Sequence, residues 1–291
     1  MNAPGTQDVG TQDVGALGVI AGGGMLPVRV AAAAHAQGRR VFVVGLEGTA
    51  DAALLRPFPH AFARIGAAGR IIALLRQAGV TDLVLAGTVK RPGLLELRPD
   101  GEGMMLLGRI GRAAFAGGDD GLLRAVGRVL EEEGFKLLGA HDVLQGGTAP
   151  EGTWTSTAPD AAHEADILRG VQVARALGRL DVGQAVVVQQ GLVLGVEAIE
   201  GTDALLGRVG PLARPGPGGV LVKLLKPGQD FRMDMPMVGL TTVQNAIEAG
   251  LSGIAVEAGN TLVADLRAMI ETADAAQKFI VGRNFPEGET P

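Results

Sequence analysis

The chain has 291 residues, a formal net charge of −5 and no cysteine. Its length suits two domains of ordinary size. An acidic balance without a basic block argues against nucleic acid as a partner, and the lack of thiols excludes disulfides, Cys-ligated zinc and a cysteine nucleophile, which suits a reducing cytosol. Hydrophobic residues make up 47% but aromatics only 3%, so the core must be built from Ala, Val, Leu and Ile.

Residues 1–15 are polar, repeat Thr-Gln-Asp-Val-Gly in tandem and read as a disordered tail without the regions of a signal peptide. Residues 16–20 then read as a buried strand. Gly22, Gly23 and Gly24 turn it into an Ala-rich helix running to about Gln37. Strand, glycine loop and helix form a phosphate-compatible arrangement, because glycines let the backbone approach a ligand and the helix N-terminus offers unpaired amides. Pro27 stands where a dinucleotide fingerprint has its third glycine, which weakens a nicotinamide-cofactor reading and fits the first turn of a helix.

A strand over 40–45, a helix over 67–78 and a strand over 82–86 continue the alternation, so the first domain, residues 16–144, is expected to be Rossmann-like with a mostly parallel sheet. Lys90 and Arg91 follow the third strand, at the carboxyl end where such sheets meet anionic ligands. Helices are expected over 104–115 and 121–133, with Asp119 or Asp120 as an N-cap or a further ligand. Residues 145–162, rich in Gly, Thr and Pro, read as a linker.

Residues 163–291 are expected to form a second α/β domain, a mixed sheet with helices. A helix over 163–177 contains His163, which reads as structural because no other histidine lies at ligand spacing. A hairpin follows, with strands over 184–189 and 192–199. If the second strand stays regular to Ile199, Glu197 and Glu200 point to opposite faces, and Glu200, beside the turn, is the better ligand candidate. Asp203 reads as a helix cap. Beyond 236 the expected elements are helices over 241–249 and 265–276, and strands over 253–256, 261–263 and 279–281.

Between these elements lies the stretch with the most chemistry. An apolar strand over 219–225 delivers Lys223 and Lys226, a Pro-Gly turn, Gln229, then Asp230, Arg232 and Asp234. Cations of this kind hold phosphate oxygens, and carboxylates are hard ligands suited to Mg²⁺. Together they point to metal-assisted phosphoryl chemistry, with a surface hairpin of self-paired charges as the plain alternative.

Five motifs in this order carry a family resemblance: the Gly22–Gly24 loop, the segment holding Lys90 and Arg91, Gly118-Asp119-Asp120, the run from Glu197 to Asp203 that includes Thr202, and Lys226-Pro227-Gly228-Gln229-Asp230. Over residues 17–282 the chain resembles the LpxI-type UDP-2,3-diacylglucosamine pyrophosphatases. The resemblance implies hydrolysis of UDP-2,3-diacylglucosamine to lipid X and UMP in lipid A synthesis, by attack at the β-phosphate and with Mg²⁺ or another divalent cation such as Mn²⁺. It also implies a cytoplasmic homo-oligomer in peripheral contact with the inner membrane.

The expected catalytic set is Asp230, Lys226 and Gln229. Asp230, with Asp234 or Glu200 as helper, holds the metal or orients water, and the diphosphate lies between the domains. Substrate contacts are expected from Gly22, Gly23, Gly24, Lys90, Arg91, Thr202, Lys223 and Arg232, and an acyl groove from Met233, Met235, Met237 and Leu240. A nucleotide-dependent oxidoreductase and a non-catalytic nucleotide or lipid-precursor binding protein are the alternatives.

Overall fold

The computed structural model describes residues 15–89, 97–110, 119–144 and 147–285; the tail up to residue 14 lies outside them, as do Lys90 and Arg91. The chain forms two units. One comprises the chain up to Ile110 together with Gly127–Leu144, and the other comprises residues 119–126 and the chain from 147 onward.

In the first unit the elements run β1 (Ala16–Ala21), α1 (Leu26–Ala36), β2 (Val41–Leu46), α2 (Ala52–Leu55), β3 (His60–Ala63), α3 (Ala68–Gln77), β4 (Val80–Ala86), α4 (Gly101–Ile110), the later part of α5 (Asp119–Glu132), whose residues 119–126 belong to the second unit, β5 (Lys136–Leu137) and α6 (Ala140–Leu144). The strands pair in parallel in the order β3-β2-β1-β4-β5. Every residue of β1 is buried, as a central parallel strand covered on both faces requires. The chain builds outward from β1 to β3 and then returns to place β4 on the other side of β1, which puts a topological switch point between the ends of β1 and β4. β3 was not visible in the apolar pattern. Three half-buried residues and a buried Ala63, following Pro59, make an edge strand too short to show a period.

The second unit contains β6 (Gly152–Thr153), α7 (Ala161–Arg179), β7 (Ala185–Gln189), β8 (Leu192–Val196), α8 (Thr202–Val209), β9 (Val220–Lys223), β10 (Met237–Val238), α9 (Leu240–Glu248), β11 (Gly253–Glu257), β12 (Leu262–Val263), α10 (Leu266–Ala275) and β13 (Phe279–Arg283). Its main sheet has the order β6-β13-β11-β9-β7-β8. β9, β11 and β13 are parallel, whereas β6, β7 and β8 join antiparallel, so the sheet is mixed. β10 and β12 form a separate parallel pair. The segment read as a linker supplies β6, and its Trp154 amide donates to the Ile280 carbonyl at 2.9 Å. Two residues of edge strand in a Gly- and Thr-rich stretch leave no periodic mark.

Strand alternation builds this unit's core in two layers. Val187, Leu221, Ile254 and Ile280 stand opposite one another across four strands and pack with Leu205, Val243 and Met269 of α8, α9 and α10. The next row, Val186, Val222, Ala255 and Val281, packs with Ile167, Val171 and Ala174 of α7.

At Gly170, α7 approaches β9 so closely that an added Cβ would lie 2.4 Å from Val222 Cγ2. Gly170→Ala is therefore expected to destabilise the protein by about 1–3 kcal/mol through overpacking. Gly207 of α8 meets nothing within 4 Å, so Gly207→Ala should stabilise by up to about 1 kcal/mol. Urea unfolding of both variants checks the contrast, and equal shifts would contradict it.

Candidate active site

β9 is the apolar strand expected from the sequence, and Lys223 is its last residue. The chain then turns at Lys226-Pro227-Gly228-Gln229, where Gly228 has φ +77° and the Gln229 amide donates to the Lys226 carbonyl at 3.1 Å. A positive-φ residue third is the requirement of a type II turn, and proline second is common in it. The Gln229 side chain reinforces it, accepting from the Lys226 amide at 3.2 Å and donating to Asp234 at 2.7 Å. A second turn follows, closed by the Met233 and Asp234 amides on the Asp230 carbonyl at 2.9 and 3.2 Å. The backbone thus gathers Lys226, Gln229, Asp230 and Asp234 into one compact loop.

Each charge in the loop has an assigned partner. Arg232 grips Asp230 through Nε at 3.0 Å and Nη2 at 2.7 Å, and this guanidinium holds the Asp230 carboxyl below its usual range. Lys226 Nζ lies 2.6 Å from Asp181 Oδ1. Asp181 follows α7 in the left-handed region with φ +52°, where helix C-termini commonly turn. Its other oxygen accepts from the Asp120 amide at 3.3 Å, while Arg124 donates to the Gly228 carbonyl at 3.1 Å. The first two turns of α5 therefore brace the Pro-Gly turn and its partner Asp181. Asp120 is 8% exposed, and burial pushes its carboxyl up; burial does the same to Asp234, against the pull of Lys226 and Lys223.

Beneath the loop, Lys223 is 6% exposed. Its ammonium donates to Thr202 Oγ1 at 2.8 Å and to the Met237 carbonyl at 2.9 Å, and the Thr202 hydroxyl donates to Glu197 at 2.6 Å. Burial lowers the Lys223 pKa, opposed by the charges of Glu197, Asp234 and Asp203. Two residues expected among the substrate contacts, Lys223 and Thr202, are thus joined to each other inside the fold.

The acidic run before Thr202 differs from its expected form. β8 stops at Val196, so strand alternation does not govern Glu197 and Glu200. Glu197 turns inward, 6% exposed, whereas Ile199 is 97% exposed and Glu200 pairs with Arg208 at 2.7 Å, which lowers the Glu200 pKa. Asp203 does not cap α8; Gly201 stands at that position, and Asp203 accepts from Asn245 at 3.0 Å. Met233 is buried and Met237 exposed, so the expected acyl-groove methionines do not share one environment. His163 packs edge-on against Phe279 at 5.3 Å, a structural position.

A cavity of about 230 Å³ adjoins the loop, lined by Lys226, Gln229, Arg175, Glu257 and Asn260 among others. It opens where β9 and β11 end, the position at which parallel strands commonly present ligands. As a metal cage, Asp230, Asp234 and Glu200 do not fit, because each is engaged separately by Arg232, Gln229 and Arg208. Among the described residues, no three His, Cys, Asp or Glu side chains are grouped to hold an ion. One or two of these carboxylates suit Mg²⁺ when phosphate oxygens and water supply the other ligands.

In the first unit the glycine loop lies beside the chain leaving β4. The Gly22 amide donates to Ala86, and Gly23 exchanges amide-carbonyl bonds with Thr88 at 2.8 and 3.0 Å. A Cβ on Gly22 would lie 2.5 Å from the Thr88 carbonyl oxygen. Gly22 and Gly23 thereby serve contact between two loops, whereas Gly24, at φ +83°, meets nothing within 4 Å.

Asp181, Glu197 and Arg124 were not among the residues singled out for the site from sequence. Asp181 and Arg124 lie far from the loop along the chain, and only the packing of α5 and α7 brings them to it. A carboxylate two residues beyond a helix end is the sole local signal of Asp181.

The two loop carboxyls should respond oppositely to pH. The depressed Asp230 contributes stability above about pH 4 that is lost as pH falls through its folded value; the raised Asp234 favours the fold below about pH 4 and loses that contribution as pH rises. Asp230→Asn should therefore be destabilised at neutral pH, and Asp234→Asn stabilised, with both differences shrinking toward about pH 3. Urea unfolding across this range tests the signs, and a reversed order would contradict the assignment.

Comparison with known proteins identifies the family. Family models for the LpxI N-terminal domain and the LpxI C-terminal domain match residues 16–146 and 150–281. A curated relative from Caulobacter vibrioides, UDP-2,3-diacylglucosamine pyrophosphatase LpxI, is 45% identical over 272 residues, covering 91% of this chain and 96% of its own length. Matches of this extent, spanning both units, show that the chain belongs to the LpxI family.

Proposed function

We propose that the protein hydrolyses the diphosphate of UDP-2,3-diacylglucosamine, giving UMP and lipid X. The observation that carries this reading is the loop 226–234, which presents two cations and two carboxylates of opposite pKa behaviour within two consecutive turns. The identity with a UDP-2,3-diacylglucosamine pyrophosphatase across both units supports the substrate.

The reaction adds water across a P–O–P bridge. The water oxygen bonds to the β-phosphorus, the bond from that phosphorus to the bridging oxygen breaks, and UMP leaves with the bridging oxygen. Lys226 and Arg232, paired with Asp181 and Asp230, turn to the diphosphate oxygens when these arrive. A phosphate competes for a guanidinium as strongly as a carboxylate does. Release of Arg232 uncovers Asp230, which orients the water. Asp234, whose buried carboxyl is the more basic of the two, takes the water proton, and Gln229 holds Asp234 in place at 2.7 Å.

Mg²⁺ or Mn²⁺, arriving with the diphosphate and held by Asp230 or Asp234, would neutralise charge on the phosphoryl oxygens. Among the described residues no helix is long and apolar enough to cross a membrane. Peripheral contact of a cytoplasmic homo-oligomer with the inner membrane is the arrangement proposed for reaching a lipid substrate.

The test is UMP release from UDP-2,3-diacylglucosamine by the purified chain, with and without Mg²⁺. Metal-dependent release is expected, and Asp230→Ala should lower kcat by about 100-fold or more with the fold retained. Binding without turnover would favour a non-catalytic binding protein. Near-normal turnover by Asp230→Ala would overturn the role given to that residue.

A further inference from the structure

The segment 224–236 leaves the main sheet at the end of β9 and returns in β10, which pairs with β12 and not with β9. Strand pairing therefore does not close the neck of this loop. The contact that does so is a side chain: Lys223 Nζ, from the departing strand, donates to the carbonyl of Met237, the first residue of the returning one, at 2.9 Å.

We propose that Lys223 is a positioning residue that clamps the neck of the catalytic loop, with Thr202 and Glu197 as the anchor of the clamp. The inference rests on the proposed function for the role of the loop, but the clamp itself is a property of the fold.

An ammonium has three donors and no acceptor. At 6% exposure, a lysine needs oxygen partners for its charge, because a buried ion without them is strongly disfavoured. One donor goes to Met237, and a second goes to Thr202 Oγ1 at 2.8 Å. The threonine hydroxyl passes its own proton to Glu197 Oε1 at 2.6 Å. Glu197, itself 6% exposed, spends its other oxygen on the Gln184 amide at 3.1 Å, at the entrance to β7. The chain of contacts thus runs from the loop neck through the first residue of α8 to the central sheet. An apolar residue of similar length would fill the same space and hold none of these groups.

The geometry separates this role from direct contact with phosphate. Lys223 reaches both ends of the loop from below, whereas Lys226 and Arg232 are carried by the loop itself. Removing the clamp should therefore disturb turnover more than nucleotide affinity.

Lys223→Met and Thr202→Val test this in the full-length protein. Thr202→Val, at the start of a helix, removes only the link between the ammonium and Glu197, and it carries the test if Lys223→Met fails to fold. In Lys223→Met, amide hydrogen exchange over residues 225–237 should accelerate by about tenfold or more, with β11 and β13 unchanged. kcat should fall by about 30-fold or more, while the Kd for UDP and the KM stay within about threefold. Thr202→Val should shift exchange and kcat in the same direction and less, and the double variant should be no worse than Lys223→Met alone.

Unchanged loop exchange in the variants would overturn the clamp. A UDP affinity weakened by more than about tenfold with unchanged exchange would instead make Lys223 a phosphate ligand. If the unaltered chain releases no UMP, the proposed function falls, and the exchange measurement still decides the clamp.

Discussion

A lysine ammonium enclosed by protein must be met by oxygen atoms, and in this protein the need is met at the end of β9. Lys223 takes a backbone carbonyl from Met237 and a hydroxyl from Thr202, with Glu197 supplying compensating charge one hydrogen bond away. The arrangement places the start of α8, the end of β8 and the return of the active loop about one point. The loop inherits its position from a strand buried at every residue, whose side chains take part in both core layers.

Above that point the polar groups of the loop are partnered within the protein. Lys226 is matched by Asp181, Arg232 by Asp230 and Gln229 by Asp234. The two ion pairs, partly exposed, contribute little net stability, because desolvation and side-chain ordering offset most of the attraction. Their exchange for phosphate oxygens is correspondingly inexpensive in free energy. In the reaction proposed above, a diphosphate would displace the two carboxylates, and a metal held jointly with substrate phosphates would suit the site better than a protein-only cage.

The two units use glycine differently. In the first, Gly22 and Gly23 let the loops after β1 and β4 touch through backbone groups, so a phosphate-like fingerprint is spent in part on internal contact. In the second, Gly228 supplies a positive φ for the turn, while Gly170 and Gly178 admit α7 against Val222 and Pro227. Close approach of α7 carries Asp181 to Lys226, so the small residues of a helix determine the partner of a loop cation.

Much of this was legible in the amino-acid order. Continuous apolar runs such as β1 and β9 can be satisfied only by burial on both faces, and alternation with helices implies parallel pairing; the α/β class and the turn that gathers Lys226, Gln229, Asp230 and Asp234 follow from local pattern alone. Short elements escaped because two to four residues carry no period, as at β3 and β6. The acidic run departs from the expected strand because β8 ends at Val196 and Glu197 turns inward to accept from Thr202 and Gln184, partners that a strand pattern does not reveal. What only tertiary structure decided is the pairing of charges: which carboxylate is buried beside which cation, and so which is depressed or raised. Coulomb attraction and desolvation depend on distances between residues far apart in sequence, such as Asp120, Asp181 and Lys226, and chain order does not encode those distances locally.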